Sequence, residues 1–137
     1  MGDSLILETT FLIDFERELN RGAPGSAIAF LKTHEDHRLY ITFTIAGELA
    51  AGLSLADRER WEAFLAPFHV LAHNNDASWE YGRACRYLRD NGLLIGSNDL
   101  WIAATALAYR MPVVTRNVRH YRRVPGLEVV DYCAIEA

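Results

Sequence analysis

The chain has 137 residues, of which 50% are hydrophobic, and a formal net charge of −4. That length suits one ordinary domain with its own core, and the acidic balance argues against a protein that coats nucleic acid by charge alone. Two cysteines cannot form the disulfide framework of a small secreted protein. The sequence shows neither a signal-peptide pattern nor an apolar run long enough to span a bilayer. We therefore expect one cytoplasmic domain spanning residues 1–137.

Short apolar runs alternate with helical periods along the whole chain. The predicted elements are a strand at 4–7, helices at 10–21 and 26–35, a strand at 39–43, helices at 44–53 and 54–66, a strand at 68–71, helices at 76–90 and 98–109, and strands at 112–115 and 127–131. A threonine is predicted to cap the first helix, and Ser54 the fourth. This alternation predicts an α/β fold with a mostly parallel sheet covered on both faces.

Three acids are each the only charged residue in a long apolar stretch: Glu8, Glu48 and Asp99. An ionised carboxylate withdrawn from water is costly unless something compensates it, so each of these acids requires a partner. Simpler explanations exist for two of them. Asp99 falls in the first turn of a predicted helix, where the helix dipole favours an acid, and Glu8 could be an ordinary acid at the end of a strand.

The predicted topology brings these acids together. The carboxyl ends of parallel strands and the starts of the helices that follow them share one edge of the sheet, where ligands bind. Glu8, Glu48 and Asp99 map to that edge, as do Thr115 and Asn117 after the fourth strand. A cluster of carboxylate and amide oxygens without a cysteine or an obvious histidine ligand favours Mg²⁺ or Mn²⁺ over zinc.

Arginines are concentrated late in the chain. Between positions 110 and 123 lie Arg110, Arg116, Arg119, Arg122 and Arg123, with no acid among them. Three of these, Arg116, Arg119 and Arg122, are candidates for contacting phosphate groups, since arginine makes planar, bidentate contacts to phosphate. The alternative is a solvated loop and helix face.

Four segments carry a resemblance to a known family: "LILETTFLID", "TFTIAGELAAGL", "GSNDLWIAATALA" and "VVTRNVRHYRRVPGLEVVDY". In this order they resemble the four motif regions of the PIN domain, in particular those of the VapC-like ribonuclease toxins of toxin–antitoxin pairs. The resemblance runs over nearly the whole chain. It implies a Rossmann-like α/β/α sandwich, Mg²⁺-dependent cleavage of RNA phosphodiester bonds, homodimers and inhibition by a small antitoxin protein.

The same resemblance assigns the family's acids to Glu8, Glu48 and Asp99, its fourth acid to Asn117, and the accompanying hydroxyl to Thr115. We expect Glu8 and Asp99 to bind the metal, Glu48 to orient water or a second ion, and Asn117 and Thr115 to hold ligating waters. Without metal, the three acids would also receive an Arg or Lys side chain inserted by an antitoxin.

The family usually has Asp where this chain has Glu8, and often Asp where it has Asn117. Glu extends the carboxylate by about 1.5 Å, so either the site has adjusted around it or metal binding is weakened. A phosphoreceiver domain is disfavoured because no lysine follows Lys32, and a D-x-D phosphatase because Thr9 and Thr10 follow the first acid. A catalytically weakened or inactive PIN fold that only binds a partner or RNA remains the alternative.

Overall fold

The computed structural model describes residues 3–134 of the chain. In that range five parallel strands form one sheet in the order β3-β2-β1-β4-β5. The strands are β1 (Ser4–Leu7), β2 (Arg38–Thr42), β3 (His69–Leu71), β4 (Val113–Thr115) and β5 (Val129–Asp131). The predicted mostly parallel α/β sheet is confirmed.

Helices connect consecutive strands. They are α1 (Thr9–Arg21), α2 (Ser26–Thr33), α3 (Phe43–Ala51), α4 (Arg58–Leu65), α5 (Asn75–Asp90), α6 (Ser97–Tyr109) and α7 (Val118–Tyr121), with one 3₁₀ turn at Leu53–Leu55. None of the helices within residues 3–134 has the length and apolar character needed to cross a membrane.

The helix boundaries correct the predictions in two places. Glu8, not a threonine, caps α1, because its side chain folds back to accept the backbone N–H of Thr10. The predicted helix at 54–66 begins only at Arg58 with Asp57 as its cap, because the extended Gly52 and the 3₁₀ turn separate it from α3. Leu53, the last residue of the predicted helix at 44–53, lies in the 3₁₀ turn instead and is 97% exposed.

The sheet separates two helical layers. Crossovers between parallel strands are right-handed as a rule, so the strand order implies that α1–α4 cover one face of the sheet and that α5 and α6, in the return crossover to β4, cover the other. Strand β1 lies at the centre, so Leu5, Ile6 and Leu7 are buried between the layers. This explains why the first strand reads as an unbroken apolar run.

The strand register fixes the edge of the sheet that carries the isolated acids. Leu7 pairs with Val114, so the next residues, Glu8 and Thr115, come side by side. Glu8 also donates its backbone N–H to the Val114 carbonyl at 2.9 Å. On the other side β1 pairs with β2, whose last residue, Thr42, caps the helix that carries Glu48.

A second buried acid secures the turn between α1 and α2. Glu18, 4% exposed, accepts the backbone N–H groups of Gly25, Ala27 and Ile28 at 2.6, 3.0 and 2.9 Å. These donors are among those at a helix start that lack an intrahelical partner, so the Glu18 carboxylate anchors the start of α2 on α1.

Candidate active site

Glu8 is held at the centre of the carboxyl edge by two hydroxyl groups. Its side chain is only 3% exposed. Thr115 Oγ1 donates to Glu8 Oε1 at 2.5 Å, and Thr10 Oγ1 donates to the same oxygen at 2.7 Å. The two hydroxyls accept backbone N–H groups in turn, Thr115 from Asn117 and Thr10 from Arg116. The carboxylate therefore has a fixed orientation.

Glu48 lies in the second turn of α3 and is tied to two other elements. Thr9 Oγ1, at the start of α1, donates to Glu48 Oε1 at 2.6 Å. The amide of Asn98, at the start of α6, donates to Oε2 at 3.4 Å. Glu48 thus joins the first turn of α1 to the first turn of α6, as expected for an acid of the same crevice.

Asp99 lies in the first turn of α6 and accepts a hydrogen bond from a tyrosine. The phenol of Tyr121 donates to Asp99 Oδ1 at 3.2 Å, and Oδ2 is 3.9 Å from His120 Nδ1. The Asp99 side chain keeps 27% of its surface exposed, whereas Tyr121 has none. Each isolated acid therefore has the partner that its burial requires, and in every case that partner is a neutral hydroxyl or amide donor.

The charges of the three acids act on two buried groups, the Glu8 carboxyl and the Tyr121 phenol. Burial raises the pKa of the Glu8 carboxyl above its ordinary value, and the negative charge of Asp99 adds to this rise. The hydrogen bonds from Thr115 and Thr10 lower the pKa and offset part of it. Burial also raises the pKa of Tyr121 far above its ordinary value, and the charges of Glu8, Asp99 and Glu48 all add to that rise. Tyr121 therefore stays a protonated phenol, and its hydroxyl donates to Asp99.

Asn117 is at the expected edge but does not touch the acids. Its amide lies 2.9 Å from His120 Nδ1, so its link to Asp99 passes through His120. Thr115, by contrast, contacts Glu8 directly.

The three candidate RNA-binding arginines differ in their surroundings. Arg116 Nη1 lies 3.0 Å from both carboxylate oxygens of Asp14, a structural partner that sequence reasoning did not anticipate. Arg119 and Arg122 are exposed on and beside α7. These two are the better placed for a backbone contact.

The donor set suits a hard divalent cation. Within residues 3–134 no three His, Cys, Asp or Glu side chains converge into a ready-made metal cluster. Glu8 and Asp99 nevertheless interact: burial raises the pKa of the Glu8 carboxyl, and the negative charge of Asp99 adds to that rise. Carboxylates in such an arrangement fit an ion that prefers oxygen ligands and offsets their repulsion.

Sequence reasoning missed several residues of this site: Thr9, Thr10, Asn98, His120 and Tyr121. The two threonines follow Glu8 directly, and Asn98 precedes Asp99. Their position next to an isolated acid in the sequence was the only signal for these three residues. Tyr121 lies on a four-residue helix, which is too short to show a period.

Comparisons with known proteins identify the family of this chain. A family model described as PIN domain matches residues 5–127. Ribonuclease VapC2 of Rickettsia felis is 28% identical over 98 residues, which cover 68% of this chain and 73% of that protein. The tRNA(fMet)-specific endonuclease VapC of Salmonella typhimurium is 32% identical over 72 residues, 53% of this chain and 54% of that protein.

A solved structure shares the fold over almost the full length. The structure of VapBC-1 from nontypeable Haemophilus influenzae superposes with a TM-score of 0.80 and 27% identity, covering 96% of this chain and 99% of that one.

Proposed function

Because this chain belongs to the PIN domain family, we propose that it is a metal-dependent endoribonuclease that hydrolyses RNA phosphodiester bonds as the toxin of a type II toxin–antitoxin pair. The observation that carries the proposal is a set of hydrogen bonds at the carboxyl edge of the sheet: Glu48 is bonded to Thr9, the neighbour of Glu8 in the sequence, and to Asn98, the neighbour of Asp99. Relatives named ribonuclease and endonuclease support the reaction class.

Glu8 and Asp99 would hold a divalent cation, Mg²⁺ or Mn²⁺. Bound there, the ion supplies a water of lowered pKa and neutralises charge that develops on the phosphate. The oxygen-only donor set supports this choice over zinc.

The residues around the acids orient them. Thr115 and Thr10 hold the Glu8 carboxylate, while Thr9 and Asn98 hold Glu48, which orients water or a second ion. Asn117 and Thr115 would hold ligating waters, Asn117 acting beside His120. Such outer contacts set ligand orientation and therefore metal affinity.

RNA backbone is held by the arginines of the late segment. Arg119 and Arg122 are exposed and form no ion pair within residues 3–134. The guanidinium of Arg116 is paired with Asp14, so Arg116 would contact RNA while it also binds that carboxylate. Backbone contacts of this kind need no base reading by the protein.

The proposed partner is a small antitoxin that inserts an Arg or Lys side chain among the three acids and so displaces metal and substrate together. The chain would work in the cytoplasm, where its RNA substrate is, and as a homodimer. The neighbouring structure of VapBC-1 is a relative's complex and supports such a partner. Co-expression with the adjacent reading frame should give a stable, inactive complex; an adjacent product that neither binds nor inhibits would contradict this part.

A second candidate is a PIN fold that binds RNA or a partner without cutting. Two observations favour it. Glu8 stands where the family usually has Asp and is already satisfied by three hydrogen bonds, and Asn117 brings no fourth charge.

The test is cleavage of total RNA with and without Mg²⁺ by the wild type and by Asp99→Asn. This substitution keeps the shape and removes the ligand charge, so cleavage should be abolished while the melting temperature stays close to that of the wild type. Asp90→Asn, which removes an exposed acid at the end of α5, is the control and should cleave normally. An active Asp99→Asn protein would refute the metal-site assignment, and a wild type with no Mn²⁺ site would favour the binding-only alternative.

A further inference from the structure

Tyr121 occupies a position that packing alone does not explain. It is among the largest fully buried side chains, yet it comes from the short α7 between the exposed Arg119 and Arg122. Its hydroxyl reaches back 22 positions along the chain to donate to Asp99 Oδ1 at 3.2 Å. A phenylalanine would fill the same core volume without this hydroxyl.

The hydrogen bond distinguishes the two oxygens of Asp99. Among residues 3–134, the hydrogen bond to the Asp99 carboxylate comes from Tyr121 and reaches Oδ1. Oδ2 lies 3.9 Å from His120 Nδ1, beyond hydrogen-bonding distance, and the side chain remains 27% exposed. One oxygen is therefore held by the protein, and the other remains available to a ligand.

Tyr121 contacts Asp99 directly, and after burial the charges of Glu8, Asp99 and Glu48 contribute to the raised pKa of its phenol. A cationic donor at this point would neutralise the acids and compete with a metal ion. A neutral phenol fixes a carboxylate without supplying a positive charge, so the negative potential of the site is kept for the cation.

We propose that Tyr121 is a positioning residue for the metal: its hydroxyl holds Asp99 Oδ1 so that Oδ2 is presented to the divalent cation. This inference rests on the proposed function, because it assumes that Asp99 is a metal ligand. The physical basis is preorganisation. An outer hydrogen bond that fixes a ligating carboxylate removes the need to order it on binding, and loss of such bonds typically lowers metal affinity by about 10–100-fold.

Tyr121→Phe isolates the hydroxyl, since the ring and its packing are retained. Tyr132→Phe is the matched control: Tyr132 is also buried, and its phenol donates to the Asp14 carboxylate and to the backbone carbonyl of Thr10 but to none of the three acids. Mn²⁺ affinity of the free protein, measured by direct titration of the ion, is a readout independent of cleavage.

For Tyr121→Phe we expect the Mn²⁺ dissociation constant to rise about tenfold and kcat for RNA to fall with KM unchanged, because RNA backbone contacts are untouched. Tyr132→Phe should bind Mn²⁺ like the wild type. A Tyr121→Phe protein that fails to fold, or that folds and binds Mn²⁺ with wild-type affinity, overturns the inference. If Asp99→Asn loses Mn²⁺ while Tyr121→Phe keeps it, the proposed function stands and only this inference falls; if the wild type binds no Mn²⁺, both fall.

Discussion

Thr115 donates a hydrogen bond to Glu8 at 2.5 Å although 107 positions separate them in the sequence. The contact exists because β1 and β4 are neighbours in register, which places the residues after Leu7 and Val114 side by side. The register of two parallel strands thereby brings a buried acid and a buried hydroxyl into hydrogen-bonding contact in the candidate site.

Removing the Thr115 hydroxyl should weaken the site. Thr115→Val keeps the volume but leaves Glu8 Oε1 with one hydroxyl donor, so we expect Mn²⁺ affinity and RNA cleavage to fall by about tenfold. Thr105→Val is the matched control, because Thr105 is equally buried and its hydroxyl bonds only the Trp101 carbonyl within α6. Equal effects of the two substitutions on Mn²⁺ affinity would show that the Thr115 contact is structural only.

The raised pKa of Glu8 predicts a pH dependence of stability. Above the ordinary value of 4.5, the unfolded state releases this proton while the folded state still holds it, so the free energy of unfolding falls as pH rises until the folded-state pKa is passed. Glu8→Gln has no such proton. Subtracting its urea-unfolding free energies from those of the wild type should give a difference that declines from about pH 4.5 upward and then levels off. A difference that is flat or rises with pH would contradict the assignment of a raised pKa.

A second glutamate serves as the control for that substitution. Glu18→Gln replaces one acceptor oxygen by an amide donor that faces backbone N–H groups of α2, so it should destabilise the fold by about 1–3 kcal/mol. Its Mn²⁺ affinity should remain that of the wild type, whereas Glu8→Gln should lose Mn²⁺ binding.

Glu8→Asp tests whether the site is adjusted to the longer acid. The contacts of Glu8 Oε1 with both Thr10 and Thr115 favour adjustment, since a carboxylate withdrawn by about 1.5 Å would lose one of them. We therefore expect weaker Mn²⁺ binding and slower cleavage, measured beside the wild type. A gain in both would mean instead that the crevice suits the shorter acid and that Glu8 weakens the natural chemistry of the fold.

Arg119 and Arg122 should contribute to RNA affinity through charge. Replacing both by Ala should raise the dissociation constant for RNA and reduce the salt dependence of binding by a slope of about 0.7 for each lost contact with a single strand. Arg86 and Arg89, exposed on α5, give a control with the same change in net charge. If the two double variants behave alike, the arginine segment is only a solvated face.

The sequence alone determined the class of fold and the edge of the sheet that carries the chemistry. An unbroken apolar run at Leu5–Ile6–Leu7 is sufficient to predict a strand buried on both faces. Acids that follow strands or begin the next helices fall on the carboxyl edge of a parallel sheet, and this placement does not depend on how individual side chains pack. The strand order, which the sequence did not predict, places Glu8 beside the end of β4.

Only the tertiary structure decided which groups hold the acids. That Glu8 caps α1, that Arg116 pairs with Asp14, and that Tyr121 donates to Asp99 all depend on side-chain directions in the folded chain. Local patterns carry no information on such contacts, because periodicity assigns a residue to a face but not to a partner. A four-residue helix such as α7 lacks even that signal, so its buried tyrosine could be placed at the site only by the folded chain.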